Sequence, residues 1–261
     1  MDPFRLIVIF IAATIAGAVN AIAGGGTVFS FTALAWAGLP LIRANATNAT
    51  ALVPGSIGGI IAFRRELIPQ WRTLLILLVP TLTGSLLGAF TVANTAESIF
   101  RAVVPFLVLF ATLVFAGRNH IIRWTTRKSA VARKADHITP VGLIVGCVFQ
   151  FVIAFYGGYF GAGIGILMLT ALSLVGMSDV IKMNALKNGL AVAINGTASV
   201  FFLIDGKVEI PIALLGALGA IIGGYVLASF ARRIDQNVLR VAIVVAGIVV
   251  SVWLFVRLIL T

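Results

Sequence analysis

The chain punctuates its apolar sequence twice in the same order, and this doubling constrains the fold more than any other feature. Ala23-Gly24-Gly25-Gly26 leads into Phe31-Thr32-Ala33-Leu34 and Gly38, then Asn45-Ala46-Thr47-Asn48. Phe160-Gly161-Ala162-Gly163 leads into Leu169-Thr170-Ala171-Leu172 and Gly176, then Asn184-Ala185-Leu186-Lys187-Asn188. Gly84 and Gly88 answer Gly219 and Gly223, and Arg101 answers Arg240, at an offset drifting only between about 135 and 139 residues. Each half therefore holds one glycine break, one Asn-rich cluster and the same order of apolar spans. Repeated membrane units of this kind mark many secondary transporters, whose sites lie where the repeats meet.

The repeated spans are too apolar for water. Hydrophobic residues make up 61% of 261 and charged residues 10%, with a mean hydropathy of +1.13. This composition predicts an all-α polytopic membrane protein whose partner is the lipid bilayer. The net charge of +11 does not point to nucleic acid, because no soluble basic module carries it. The cations sit between apolar runs, where the positive-inside rule places them. Cys147 stands alone in an apolar run, without disulfide partner or metal-ligand spacing. His120 and His137 fall in the basic loop. No cofactor or metal is expected. Arg5, the apolar run and Ala21-Ile22-Ala23 resemble a cleaved leader. The matching segment before the second break argues instead that this stretch belongs to the repeat.

Ten apolar segments are expected, five per half: 4–22, 27–38, 45–63, 71–92 and 98–116, then 140–158, 164–176, 183–204, 210–231 and 236–260. The corresponding units are repeat 1 over 1–116, a basic cytoplasmic linker over 117–139 and repeat 2 over 140–261. Segments 27–38 and 164–176 are too short to cross as straight helices. They read as half-helices or re-entrant pieces covered by protein or water, so the chain has eight to ten membrane segments. If each short piece crosses with its neighbour's help, the repeats are inverted. Arg64, Arg65, Arg72, Lys182, Arg232, Arg233 and the linker cations then face the cytoplasm. If the pieces are re-entrant, the repeats are parallel, and Lys182, Arg232 and Arg233 face outward. The Arg232-Arg233 cluster favours inversion. Gly84-x-x-x-Gly88 and Gly219-x-x-x-Gly223, with Gly55/Gly59 and Gly142/Gly146, predict tight helix crossings. Pro54, Pro80 and Pro105 predict kinks or breaks. The oligomeric state is open and admits a homodimer.

No catalytic constellation is visible: no converging Ser, His and Asp, no H-E-x-x-H, and no P-loop lysine motif. An enzyme is not expected. A glycine break exposes backbone, and a helix starting just after it aims its first N–H groups into the gap, which attracts anions. This occurs twice, at Gly24, Gly25, Gly26 and Thr27, and at Gly161, Gly163 and Ile164. Close helix crossing is the alternative use of these glycines. Asn45, Thr47, Asn48 and Thr50 add polar groups in one half; Asn184, Lys187, Asn188 and Asn195 form a one-sided stripe in the other. Interhelical hydrogen bonding is the alternative there. Lys187 lies inside an apolar span with no acid within four residues, so a bound anion suits it. All eight acids fall at segment ends or in loops, which disfavours cation transport and an intramembrane proton relay.

At these residues the chain resembles the TauE/SafE family, also called sulfite exporters. The resemblance is carried by the paired breaks, Ala46-Thr47-Asn48, the run Tyr156-Gly157-Gly158-Tyr159-Phe160-Gly161-Ala162-Gly163, and Lys187-Asn188. Thr27-Val28-Phe29-Ser30 after the first break departs from members that carry a further glycine or a proline. The resemblance implies an inner-membrane permease for sulfur-containing anions such as sulfite or organosulfonates, generally exported. A sulfonate offers three acceptor oxygens and stays ionised, so amide donors and a fixed cation suit it. Tyr156, Tyr159 and Gln150 are expected to add donors near the second break. Alternating access by rocking one repeat against the other is the expected mechanism, with an anion channel using the same donors as the alternative.

Overall fold

A computed structural model describes residues 2–22, 25–117, 140–174, 176–177, 179–227 and 236–260. Among them there is no strand. The first half comprises α1 (Pro3–Ile22), α2 (Thr27–Trp36), α3 (Leu41–Ala62), a short α4 (Arg64–Leu67) with a 3-10 turn, α5 (Trp71–Ala93) and α6 (Glu97–Ala116). The second comprises α7 (Pro140–Tyr159), α8 (Ile164–Leu174), α9 (Val180–Ile204), α10 (Ile210–Ile222) and α11 (Gln236–Leu260). A π-helical turn, Gly223–Leu227, continues α10. A helix occupies each of the ten expected segments, two of them short; residues 175 and 228–231 of the expected 164–176 and 210–231 lie outside the described residues. Most of the linker, with His120 and His137, lies outside the described residues, as do Arg232 and Arg233.

Local sequence explains the ends. α2 follows Gly26 and stops before Gly38, whose φ of +96° is the left-handed conformation open to glycine. α9 starts at Asp179, whose carboxylate accepts from the Ile181 and Lys182 N–H groups. α3 starts after Pro40, and its first N–H groups, Leu41 and Ile42, donate to the Glu97 carboxylate. The prolines do not break their helices: Pro54, Pro80 and Pro105 lie within α3, α5 and α6. Neighbouring helices in a membrane bundle can satisfy the backbone groups that proline frees.

The short helices return the chain from breaks inside the bundle. Arg5 donates to the Ala37 carbonyl at 2.9 Å, and Phe4 meets Trp36 edge-on. The end of α2 therefore lies beside the start of α1. This end also holds the starts of α3 and α6, joined through Glu97, and the Arg43–Glu209 ion pair; we call it the Arg43 end. At the opposite end Gln70 donates to the Lys182 carbonyl at 3.2 Å, joining the starts of α5 and α9. α7 finishes toward the Arg43 end, where Asn45 binds the Tyr159 carbonyl, and α9 starts at the Gln70 end, so α8 spans the difference. α2 and α8, about 15 Å long, reach only from the breaks inside the bundle to one end each, and α1 and α7 run in opposite directions.

The halves interlock. α1 packs on α10, α5 on α7, α3 on α9 and α6 on α11. Small residues make the closest crossings. A Cβ on Gly84 or Gly88 would run into the backbone of Phe151 or Phe155 on α7, and one on Gly219 or Gly223 into Phe10 or Thr14 on α1. The four glycines are thus consumed inside the chain, where dispersion and close approach, rather than water expulsion, hold helices together. Large apolar side chains face outward along α1, α5, α7 and α11, among them Ile7, Ile11, Val79, Ile144, Val148 and Val252. Among the described residues, five stretches are long and apolar enough to cross a membrane: Pro3–Asn20, Arg64–Ala93, Glu97–Ala116, Gly142–Tyr159 and Ile181–Ile204.

Candidate functional site

Each break is pinned by the helix that precedes it. In the first, the Asn20 side-chain oxygen accepts from the Gly26 N–H at 2.8 Å. In the second, the Tyr156 hydroxyl donates to the Ala162 carbonyl at 2.8 Å. Both links span six residues, so different chemistry holds equivalent turns. Gly161 and Gly163, with φ of +79° and +76°, allow the second turn.

α3 then reaches both breaks. Asn45 donates its amide to the Tyr159 carbonyl at 2.9 Å, and Asn48 donates to the Thr27 carbonyl at 3.3 Å. Asn45, Thr47 and Asn48 are all buried, and the Asn48 side-chain oxygen has no hydrogen-bond partner among the described residues. Thr47 accepts from the Glu209 N–H at 3.0 Å, tying α3 to the loop before α10. Lys187 is the eighth residue of α9, as Asn48 is of α3, and only 5% exposed. Asn184, Asn188 and Asn195 are half-buried along the same helix. Asn195 approaches Gly161: its side-chain oxygen lies 4.0 Å from where a Cβ of that glycine would be.

The two breaks meet. Gly25 and Gly163 line one pocket with Val28, Ala111, Thr112 and Gly247, and it has room for about one water molecule. On the second side, nothing among the described residues accepts from the N–H groups of Ile164 and Gly165, the first of α8. Gly24 lies outside the described residues.

Several expected donors are engaged elsewhere. Gln150 donates to the Thr81 hydroxyl at 3.0 Å, inside the α5–α7 crossing, and does not join the second break. The Tyr159 ring meets Phe100 edge-on and stacks near Phe155; its carbonyl, rather than its hydroxyl, is what Asn45 holds. Tyr156 braces its own turn. Thr50 bonds back to Ala46 within α3. Buried donors seek the nearest acceptor, and exposed carbonyls at a chain break supply it.

Four contributors escaped the sequence reading: Asn20, Glu97, Glu209 and Ser85. Ser85 donates across halves to the Ile194 carbonyl at 2.7 Å. Asn20 did leave a signal, as a lone amide in an apolar run six residues before Gly26. The partners of the two acids are distant in sequence and left none. Among the described residues no group of His, Cys, Asp and Glu is placed to hold a metal ion.

Interlocked apolar helices, with outward apolar faces and two covered chain breaks at the seam, define a multi-pass helical membrane protein. A family model for the sulfite exporter TauE/SafE matches residues 9–254. The chain belongs to the TauE/SafE family, whose relatives are named as membrane transporters. A probable membrane transporter protein of Sinorhizobium sp., ORF9, is 28% identical over 245 residues, covering 94% of this chain and 90% of the relative. The probable membrane transporter protein YfcA of Escherichia coli K12 is 27% identical over 252 residues, covering 96% and 90%. A Haemophilus influenzae probable membrane transporter protein is 24% identical over 247 residues, covering 94% and 92%.

Proposed function

We propose that this protein is a secondary carrier that exports a small sulfur-containing anion, such as an organosulfonate or sulfite, across the inner membrane. The carrying observation is the shared pocket of Gly25 and Gly163, where backbone from both breaks converges between the halves. The unpaired N–H groups at the start of α8 supply donors there. Lys187, buried in α9, supplies the fixed positive charge. Asn45 and Asn48 act chiefly on the protein itself, holding the two breaks in place from a single helix. The family name supports sulfur chemistry in the substrate.

A pocket holding about one water does not admit a sulfonate head. A pocket of this size supports a carrier that closes around its site over an open anion pore. Rocking the inverted halves about the α3–α9 crossing would open the site to one end at a time. With the basic linker inside the cell, the Gln70 end faces the cytoplasm.

Melting of the detergent-purified protein with sulfite, sulfoacetate, sulfate, chloride and acetate tests the reading. A ligand at about a hundred times its dissociation constant adds roughly 2.7 kcal/mol, which is readily seen. Stabilisation selective for a sulfur anion, lost in Lys187→Ala, is expected. Equal responses of wild type, Lys187→Ala and Asn48→Ala would remove the site. In proteoliposomes, saturable exchange supports a carrier, and large single-channel currents would establish a pore.

A further inference from the structure

We propose that the pocket between Arg101 and Arg257 is a second oxyanion site, at the Arg43 end of the α6–α11 seam. The cavity holds about 310 Å³ and is bounded by Gly38, Pro40, Glu97, Arg101, Leu254 and Arg257. The two arginines come from different halves of the chain.

The placement of Glu97 is what makes the pocket positive. Glu97 and Arg101 stand four residues apart on α6, the spacing at which an acid and a base ordinarily pair. Here the carboxylate turns instead to the Leu41 and Ile42 N–H groups at the start of α3. Arg101 consequently has no ion-pair partner among the described residues. Across the cavity, the Arg257 guanidinium lies 5.4 Å from the centre of the Trp253 ring, which orients its plane. Arg5, bound to the Ala37 carbonyl beside Gly38, adds a third positive charge next to the mouth. Leu254 and Leu41 are buried and give the pocket apolar walls. Two guanidinium groups lining one cavity with such walls suit a tetrahedral anion with several acceptor oxygens: a sulfate, sulfonate or phosphate group.

That group could arrive free from water or as the headgroup of an anionic lipid. Gly247, which lines the pocket between the two breaks, lies on the same helix ten residues before Arg257, about 15 Å along its axis. A free anion bound here would stand at the mouth of the seam leading to the breaks. That role rests on the carrier reading; the binding itself does not.

The full-length protein in neutral detergent is titrated with sodium sulfate at constant ionic strength, with chloride as the balancing salt, and its melting temperature is read. A second arm adds phosphatidylglycerol or phosphatidylcholine and counts bound lipids by native mass spectrometry. Saturable binding in either arm is expected, weakened about tenfold or more by R101Q and by R257Q. R72Q, at the opposite end, leaves it unchanged. Binding of sulfate alone identifies a free anion, and of phosphatidylglycerol alone a headgroup. No saturable response of the wild type in either arm, or full retention in R101Q and R257Q, overturns the site. Unliganded melting curves of both variants separate lost binding from lost folding. The two readings fail separately. Transport that depends on Lys187 with no binding at this pocket removes only the second site. Binding here with transport indifferent to Lys187 removes only the central one.

Discussion

Gly158 of α7 lies on the backbone carbonyl of Ser85 of α5, so closely that a Cβ at 158 would occupy the oxygen's space. Gly17 of α1 lies on the carbonyl of Ala220 of α10 in the same way. Neither neighbour is a flexible side-chain tip, so neither can step aside. Gly158→Ala and Gly17→Ala should each destabilise the protein by about 1–3 kcal/mol through forced helix separation. Gly196→Ala, where a Cβ meets nothing within 4 Å, should be neutral or stabilise by up to about 1 kcal/mol through helix propensity. Melting temperatures in detergent read the contrast, and equal losses at all three positions would refute it.

The six-residue braces make matching predictions for the two breaks. Tyr156→Phe removes the donor to the Ala162 carbonyl, and Asn20→Ala removes the acceptor for the Gly26 N–H. Each should cost about 1–3 kcal/mol, because a buried backbone group is left unpaired. Thr83→Val, on an exposed face of α5, serves as the control. Chemical or thermal unfolding in detergent measures the differences; a Tyr156→Phe protein as stable as wild type would show that water satisfies the carbonyl.

Asn48 and Lys187 are each the eighth residue of their helix, α3 and α9, but only Lys187 carries charge. Lys187→Met should weaken sulfur-anion binding about tenfold or more, since a charge-assisted bond is lost. Asn48→Asp should also weaken it, by placing a negative charge in the same neighbourhood. Binding isotherms from the melting titration decide this. A gain in affinity in Asn48→Asp would invert the assigned sign of the site.

The latches at the two ends differ in kind. Arg43 and Glu209 are 47% and 38% exposed in their side chains, so the pair should contribute less than about 1 kcal/mol and be screened by salt. The Glu209 N–H bond to Thr47 survives in Glu209→Gln. At the Gln70 end an amide meets the Lys182 carbonyl, without opposed charges in the bond. A double-mutant cycle over Arg43 and Glu209 should therefore give a coupling that shrinks as salt rises. The Gln70→Ala loss should be nearly independent of salt. A salt-independent Arg43–Glu209 coupling would contradict the screened-pair account.

Segment positions were largely legible in the sequence because each lies between residues with strong local effects. Gly26 and Gly163 open short helices, Gly38 ends α2, and Asp179 caps α9. The prolines were less informative: within a bundle their local cost is absorbed by neighbours, and α3, α5 and α6 run through them. Site residues were legible as polar types in an apolar setting, but their roles were not. Asn45 and Asn48 read as donors for a ligand, yet in the fold the Tyr159 and Thr27 carbonyls take those donors. Gln150 read as a neighbour of Tyr156, yet it faces Thr81 on another helix.

The sequence alone determined the environment, the helical class and the doubled order of segments, because hydropathy, glycine and proline act over a few neighbouring residues. Only the tertiary structure decided that Gly25 and Gly163 share one pocket, that the glycine pairs are spent inside the chain, and that Glu97 caps α3 instead of pairing with Arg101. Those outcomes depend on which acceptor or surface the other half presents, and partners tens to more than a hundred residues away leave no local trace.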